Sequence, residues 1–260
     1  MERREDRGPF DIIGDIHGCA EELTELLERL GYVPAENGAA DDLIHPEGRR
    51  VIFLGDLVDR GPDAPGVLRR AMAMVASAQA LCLPGNHDDK LLRKLRGRNV
   101  KIAHGLAETL EQLEREPLEL REAVAAFLGR LPSHYVLDGG RLVVAHAGMP
   151  LPLQGQETPR ARSFALYGET TGGTDVYGLP VRGNWALRYR GRAAVVYGHT
   201  PVAEPCWLHN TLNIDTGCVF GGRLTALRYP ERQLVAVPAR RAYASTARPF
   251  LTSEQPDRHG

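Results

Sequence analysis

The segments FDIIGDIHG (residues 10–18), VIFLGDLVDRG (51–61) and ALCLPGNHD (80–88) decide the fold. In each, a short apolar run of strand length ends in a glycine-marked turn, and polar residues follow the turn at once. Between the first two segments, Glu21 to Leu30 places Leu23, Leu26, Leu27 and Leu30 on one helical face before Gly31. Between the second and third, Ala64 to Val75 also reads as a helix. Strand, crossover helix and strand in alternation predict an α/β class.

The rest of the chain extends this reading. Helices are expected at Asp88 to Leu95, Ile102 to Arg115 and Leu118 to Leu131, with a break at Pro117. Strands are expected at Leu142 to Ala145, Ala194 to Tyr197, Leu212 to Asp215, Leu224 to Tyr229 and Gln233 to Val237, the last two forming a hairpin around Pro230-Glu231-Arg232. Met149 to Pro180 is rich in Gly, Pro and Thr without apolar periodicity, so it reads as a long surface insertion of the kind that serves as a lid or specificity element. No repeat and no linker divides the 260 residues, which predicts one domain with its core at about residues 10–243 and a poorly ordered tail at about 244–260.

Composition narrows the function. With 32 Lys and Arg against 33 Asp and Glu, the net charge is -1, so no global field draws the chain onto nucleic acid or an anionic membrane. A polyanionic substrate must be held by a local site, and salt should weaken its binding only modestly. Only Lys90, Lys94 and Lys101 are lysines. The first residues, MERREDRG, carry no apolar signal core, and no apolar run reaches membrane-span length; a soluble cytoplasmic protein without an obligatory protein partner is expected. Cys19, Cys82, Cys206 and Cys218 show no CxxC spacing and read as ordinary residues rather than a disulfide or zinc framework.

The chemistry lies in the polar residues after the strands: Asp15 and His17, Asp56, Asp59 and Arg60, Asn86, His87 and Asp88, His146 in AHAG, and His199 in YGHTP. In an open α/β sheet the carboxyl ends of the strands share one edge, so these groups can converge into one cleft. Carboxylate, imidazole and carboxamide without thiolate suit Mn²⁺, Fe, Ni or Zn more than Ca²⁺. The donors are too many for one ion. Two ions bridged by one carboxylate would use them all, in the arrangement used for in-line displacement at phosphorus.

The ordered set D-x-H-G, G-D-x-V-D-R-G, G-N-H-D, H-A-G and G-H-T resembles the calcineurin-like binuclear metallophosphoesterases, on the branch of the Ser/Thr protein phosphatases. Tyr167 to Gly172, Gly178 to Arg182 and Asn213 to Gly222 further resemble the phosphatase domain of bacterial polynucleotide kinase-phosphatases; the chain is also similar to bacterial dinucleoside tetraphosphatases. The resemblance implies two sheets packed face to face and flanked by helices. It implies that Asp15, His17 and Asp56 hold a first divalent ion, with Mn favoured and Ni, Fe or Zn as alternatives. Asp56 would bridge to a second ion held by Asn86, His146 and His199. His87 would act as general acid with Asp59 accepting its other N–H, Arg60 would grip phosphate oxygens, and Asp215 would support the cluster.

The implied reaction is hydrolysis of phosphomonoesters and of some diesters. Nucleotide or polynucleotide 2′- and 3′-phosphates are the first expectation, dinucleoside polyphosphates the second and phosphoproteins the third. None of the lysines follows a G-x-x-x-x-G-K-[ST] loop, so the chain carries no kinase of that type.

Other features carry less. His45, His134, His209 and His259 have no motif context, and His104 reads as a helix-face residue. Arg182, Arg188, Arg190 and Arg192 cluster around Trp185 and Tyr189; a solvated amphipathic helix is the favoured reading and a stacking groove for nucleotide phosphates the sharper one.

Overall fold

A computed structural model describes residues 1–36 and 41–251. The three deciding segments form neighbouring parallel strands, Phe10–Ile13, Arg50–Phe53 and Ala80–Cys82. Arg223–Tyr229 pairs antiparallel with Phe10–Ile13, and Gln233–Pro238 extends the sheet beyond it. The expected hairpin is present, with Arg228 opposite Gln233 across a turn in which Arg232 takes φ 59°.

A second sheet runs Glu2–Arg3, His134–Leu137, Leu142–Ala145, Ala194–Tyr197, Thr211–Asn213, Trp207–Leu208. Its strands at 142, 194 and 211 are parallel. The period of two along each strand sorts its side chains between layers. Phe10, Ile12, Ile52 and Leu81 face Leu137, Leu142, Val144, Val196 and Leu212 and form the core between the sheets. On the outer face of the first sheet, Ile13, Val51 and Phe53 pack against the helices Ala20–Leu30 and Ala64–Ala76 through Leu23, Leu27, Val67 and Leu68. Fully burying side chains of this size stabilises by about 1.5–3 kcal/mol each. The resulting mixed α/β architecture, two sheets between helical layers, is the one expected.

Several expectations need correction. The strand His134–Leu137 gave no signal, because it opens on a histidine and leaves only three apolar residues in a row before Asp138; His134, without motif context, lies inside it. The helix expected from Ile102 begins only at Leu106, since His104 (φ 61°) and Gly105 (φ 96°) are left-handed and cannot continue a helical turn. His104 therefore sits in the turn rather than on a helix face. The insertion is not structureless: Pro159–Tyr167 is a helix, begun by Thr158, whose Oγ1 accepts the Ala161 N–H at 3.2 Å. It buries Ala161, Ala165 and Leu166, mostly small residues that give little apolar periodicity, and a hairpin of Thr170–Thr174 with Pro180–Arg182 follows.

The solvated-helix reading of the arginine cluster does not hold. Trp185 and Tyr189 are buried behind the second sheet in a 3₁₀ turn, Trp185–Arg188, with ring centroids 5.9 Å apart. Arg188 pairs with Glu169. Cys19, Cys82 and Cys218 are buried thiols, Cys206 is exposed, and none is in a disulfide. The part of the tail that is described returns to the body, with the Ala203 N–H donating to the Leu251 carbonyl and the Leu251 N–H to the Pro201 carbonyl. The rest of the expected tail, 252–260, and His259 with it, lie outside the described residues. Among the described residues no helix is long and apolar enough to cross a membrane.

The buried His134 links this fold to pH. Its Nε2 accepts the Gly155 N–H at 2.9 Å, and burial pushes its pKa down to about 4. An unfolded histidine titrates near 6.5, so between these values the unfolded chain binds a proton that the folded chain refuses. Stability should fall as the pH drops from about 6.5 towards 4, and this loss should be absent above it. Thermal unfolding of His134→Gln is expected to shift less between pH 7 and 4.5 than that of the parent; equal shifts would refute the assignment.

Candidate metal centre

The carboxyl ends of the parallel strands of both sheets meet along one edge, where the His199 N–H, after a strand of the second sheet, donates to Asp15 Oδ2, after a strand of the first, at 3.0 Å. The turns leaving those strands are unusual. His17 (φ 48°), Asp56 (49°), Asp59 (74°), Arg60 (72°) and His199 (76°) all occupy the left-handed region that side chains other than glycine rarely adopt. Each such residue costs about 1–3 kcal/mol, which the surrounding structure must supply. The strain turns the side chains inward to one point.

Asp56 stands at that point. Its Oδ1 accepts the His87 backbone N–H at 3.0 Å, and its Oδ2 lies 3.5 Å from both His17 Nε2 and His146 Nε2. Burial alone would raise its pKa, but His146, His87 and His17 around it hold it well below the usual carboxylate range. The imidazoles respond in the opposite sense: burial lowers His17, His146 and His199, aided by Arg60 at His17 and Arg182 at His199.

Backbone carbonyls fix the tautomers. His17 Nδ1–H donates to Val58 O at 2.8 Å and His146 Nδ1–H to Leu54 O at 3.2 Å, so both Nε2 atoms present lone pairs. His146 Nε2 faces Asn86 Oδ1 at 3.2 Å and His199 Nδ1 at 2.9 Å. If His199 Nδ1 carries the proton, His199 Nε2 is left buried without a partner; if it does not, two lone pairs oppose each other. Either arrangement is costly in a dry site. A cation among Asp56, Asn86, His146 and His199 removes the conflict. This donor set of one carboxylate, one amide oxygen and two imidazoles fits a borderline divalent ion.

The other half is arranged differently. Asp56, His17 and His87 bring donor atoms within 4.8 Å of one another, whereas Asp15 stands slightly apart. Asp15 Oδ2 accepts the His199 N–H at 3.0 Å, and its Oδ1 is buried with no hydrogen-bond partner. Burial and the nearby charges of Asp215 and Asp56 raise its pKa well above the ordinary value. Burial likewise pushes Asp215 up to about 7; its Oδ1 accepts the Gly217 N–H at 3.0 Å. An orphaned carboxylate oxygen amid crowded negative charge is again the mark of a cation-binding position.

Arg60 was expected to point at substrate. Instead its Nη1 donates to His17 Nε2 at 2.7 Å and its Nη2 to His87 Nε2 at 2.9 Å, so its positive charge lies between the two imidazoles. His87 Nδ1–H donates to Asp59 Oδ2 at 2.6 Å, the pairing expected for these two residues.

Near this centre Thr109 escaped the sequence, and Asp88 and Gly198 have contacts that their motifs alone do not show. Thr109 Oγ1 donates to Asp59 Oδ1 at 2.8 Å and accepts the Asp59 N–H at 2.9 Å, a contact 50 residues distant in the chain. Asp88, visible in GNHD but without a role there, accepts the Leu57 N–H at 3.0 Å and the Gly85 N–H at 2.8 Å, locking two site loops together. Gly198 passes so close to Asp15 that a Cβ there would lie 2.2 Å from Oδ1. Only a family motif could have flagged Asp88 or Gly198, and nothing in the sequence marks Thr109.

Residues 8–203 match the model of the calcineurin-like phosphoesterase family. The asymmetrical bis(5′-nucleosyl)-tetraphosphatase PrpE of Anoxybacillus flavithermus is 48% identical over 246 residues, which cover 93% of this chain and 99% of that protein. The protein of the same name from Bacillus subtilis is 44% identical over 238 residues, 90% of this chain and 96% of its own. A solved structure assigned provisionally as a diadenosine tetraphosphatase superposes with a TM-score of 0.62 at 25% identity, covering 92% of this chain and 97% of that one. A Saccharomyces cerevisiae serine/threonine phosphatase shares the fold at 15% identity, with a TM-score of 0.57 and coverage of 92% and 82%. Together with a cleft of carboxylates, imidazoles and an amide oxygen at the strand ends, these matches make the chain a member of the calcineurin-like metallophosphoesterases, metal-dependent hydrolases of phosphoesters.

Proposed function

We propose that the chain hydrolyses dinucleoside polyphosphates, cutting a four-phosphorus bridge off-centre into a nucleoside triphosphate and a nucleoside monophosphate. The observation that carries this reading is the near-complete alignment with asymmetrical tetraphosphatases at 44–48% identity, which supports it above the nucleic-acid ends first expected from the sequence. In the proposed assignment Asp15, His17 and Asp56 hold one divalent ion and Asp56, Asn86, His146 and His199 the other. The pair, when bound, supplies Lewis acidity and lowers the pKa of an attacking water.

The remaining residues move charge and protons. A P–O bond forms to the water oxygen and the P–O–P bridge breaks, its oxygen leaving with the electron pair. His87, oriented by Asp59 and Thr109, takes up a proton at Nε2 once Arg60 has left it and delivers that proton to the leaving oxygen, while the proton lost by the water passes to solvent. Arg60 now donates into the same Nε2, so it must turn away first. Its other nitrogen donates to His17 Nε2, so loading of the first ion already requires Arg60 to leave, and the freed guanidinium then meets the phosphate oxygens. Asp215 adds negative charge beside Asp15, which strengthens the pull on a cation there.

Three measurements bear on this proposal. With Mn²⁺, diadenosine tetraphosphate should turn over faster than a 3′-phosphate oligonucleotide or a phosphopeptide, giving ATP and AMP, and EDTA should abolish the reaction; faster release from the oligonucleotide would overturn the substrate assignment. Asp56→Ala should bring turnover of every substrate to background while the protein stays folded by circular dichroism. His87→Ala should slow alkyl phosphates by about 10²-fold and p-nitrophenyl phosphate far less, because a good leaving group needs no proton. Equal losses would remove His87 from the acid role.

A further inference from the structure

Two cavities meet beside the Asp56 cradle. The larger, 590 Å³, contains His17, Asp56, Arg60 and His87. The smaller, 310 Å³, contains none of these but shares His199, Thr200, Arg182 and Arg248 with its neighbour. Its walls are of another kind: Trp185, Tyr197, Trp207 and Leu208. It is large enough for a flat heterocycle and its ribose, and mostly apolar with a few polar groups, as small-molecule sites are.

The aromatic walls are braced. Trp185 and Tyr197 sit with centroids 5.1 Å apart, and Phe164 and Tyr189 pack edge-on against Trp185. The Arg232 guanidinium lies 4.6 Å from the centre of the Trp207 ring. Trp207 is only half-buried, in a two-residue edge strand, so part of it remains free to meet a ligand. At the junction of the cavities Arg182 is largely buried, and no carboxylate lies within ion-pair range of it among the described residues. Its guanidinium donates to the Tyr167 carbonyl, a neutral acceptor, and Asp56 and Arg248 act on its charge from farther away.

We propose that the smaller cavity seats the nucleoside base attached to the phosphorus under attack, with Trp207 as a stacking wall and Arg182 on the adjoining phosphate. The proposal rests on the dinucleoside polyphosphate reading and supplies a reason for its off-centre cut. The cavity opens at His199, itself part of the cradle, so a base seated there places the first phosphorus of the bridge beside Asp56. The other three phosphoryl groups then extend into the larger cavity, on the side of Arg60. A pocket farther from the cradle would present the second phosphorus and divide the bridge evenly.

The test uses the full chain with Mn²⁺ and inhibition of p-nitrophenyl phosphate hydrolysis by AMP and by inorganic phosphate. In the parent, AMP should inhibit about tenfold more tightly than phosphate, the scale expected for one stacked base. In Trp207→Ala, AMP should weaken by about tenfold while phosphate inhibition and kcat for p-nitrophenyl phosphate stay within twofold, and Trp207→Phe should restore most of the preference. Equal potency of AMP and phosphate in the parent, or an unchanged AMP constant in Trp207→Ala, would overturn the base seat. Turnover of diadenosine tetraphosphate is scored separately. Its absence alongside a Trp207-dependent AMP preference would refute the dinucleoside reading and leave the seat standing.

Discussion

The structure turns on one carboxylate. Asp56 is buried where three segments meet: the His87 amide donates to one oxygen, and the ring nitrogens of His17 and His146 lie 3.5 Å from the other. A buried charge of this kind is costly unless its surroundings answer it. The His87 N–H answers part of it, a cation shared with the imidazoles would answer the rest, and Asp88 ties the loop after Phe53 to the loop after Cys82. Gly85 makes that closeness feasible, since a Cβ there would sit 2.0 Å from Asp56 Oδ1.

The two-sheet core exists in a form that serves this point. Parallel strands bring their carboxyl ends to a common edge, and the face-to-face packing of Ile12, Ile52, Val144 and Val196 sets the edges of both sheets against each other. Left-handed turns at five site residues then aim the side chains inward, at an energetic cost that a packed scaffold can carry and a loop on its own could not. Rigidity in the strands offsets strain in the turns.

Arg60 adds a conformational element to an otherwise fixed centre. Lying between His17 and His87, it supplies positive charge where lone pairs converge, and it occupies the nitrogen from which a leaving group would be protonated. The same guanidinium can serve the imidazoles or a phosphate, but not both. Binding of an anion therefore competes directly with the contact that keeps His87 an acceptor.

The sequence by itself determined the α/β class, the deciding strands and the set of polar residues that gather at their ends, because strand, turn and polar group are adjacent along the chain and local rules govern them. His134–Leu137 and the helix Pro159–Tyr167 were illegible because the first opens on a histidine and offers too short an apolar run, and the second buries mostly small side chains that leave no periodic trace. Thr109 behind Asp59, Arg60 turned onto two imidazoles, and Trp185 moved from an assumed surface into a cavity wall were decided by the tertiary structure alone. The physical reason is common to them. Each depends on which side chain meets which across tens of residues, and hydrogen-bond geometry and packing settle that only when the sheets, loops and helices have closed on one another.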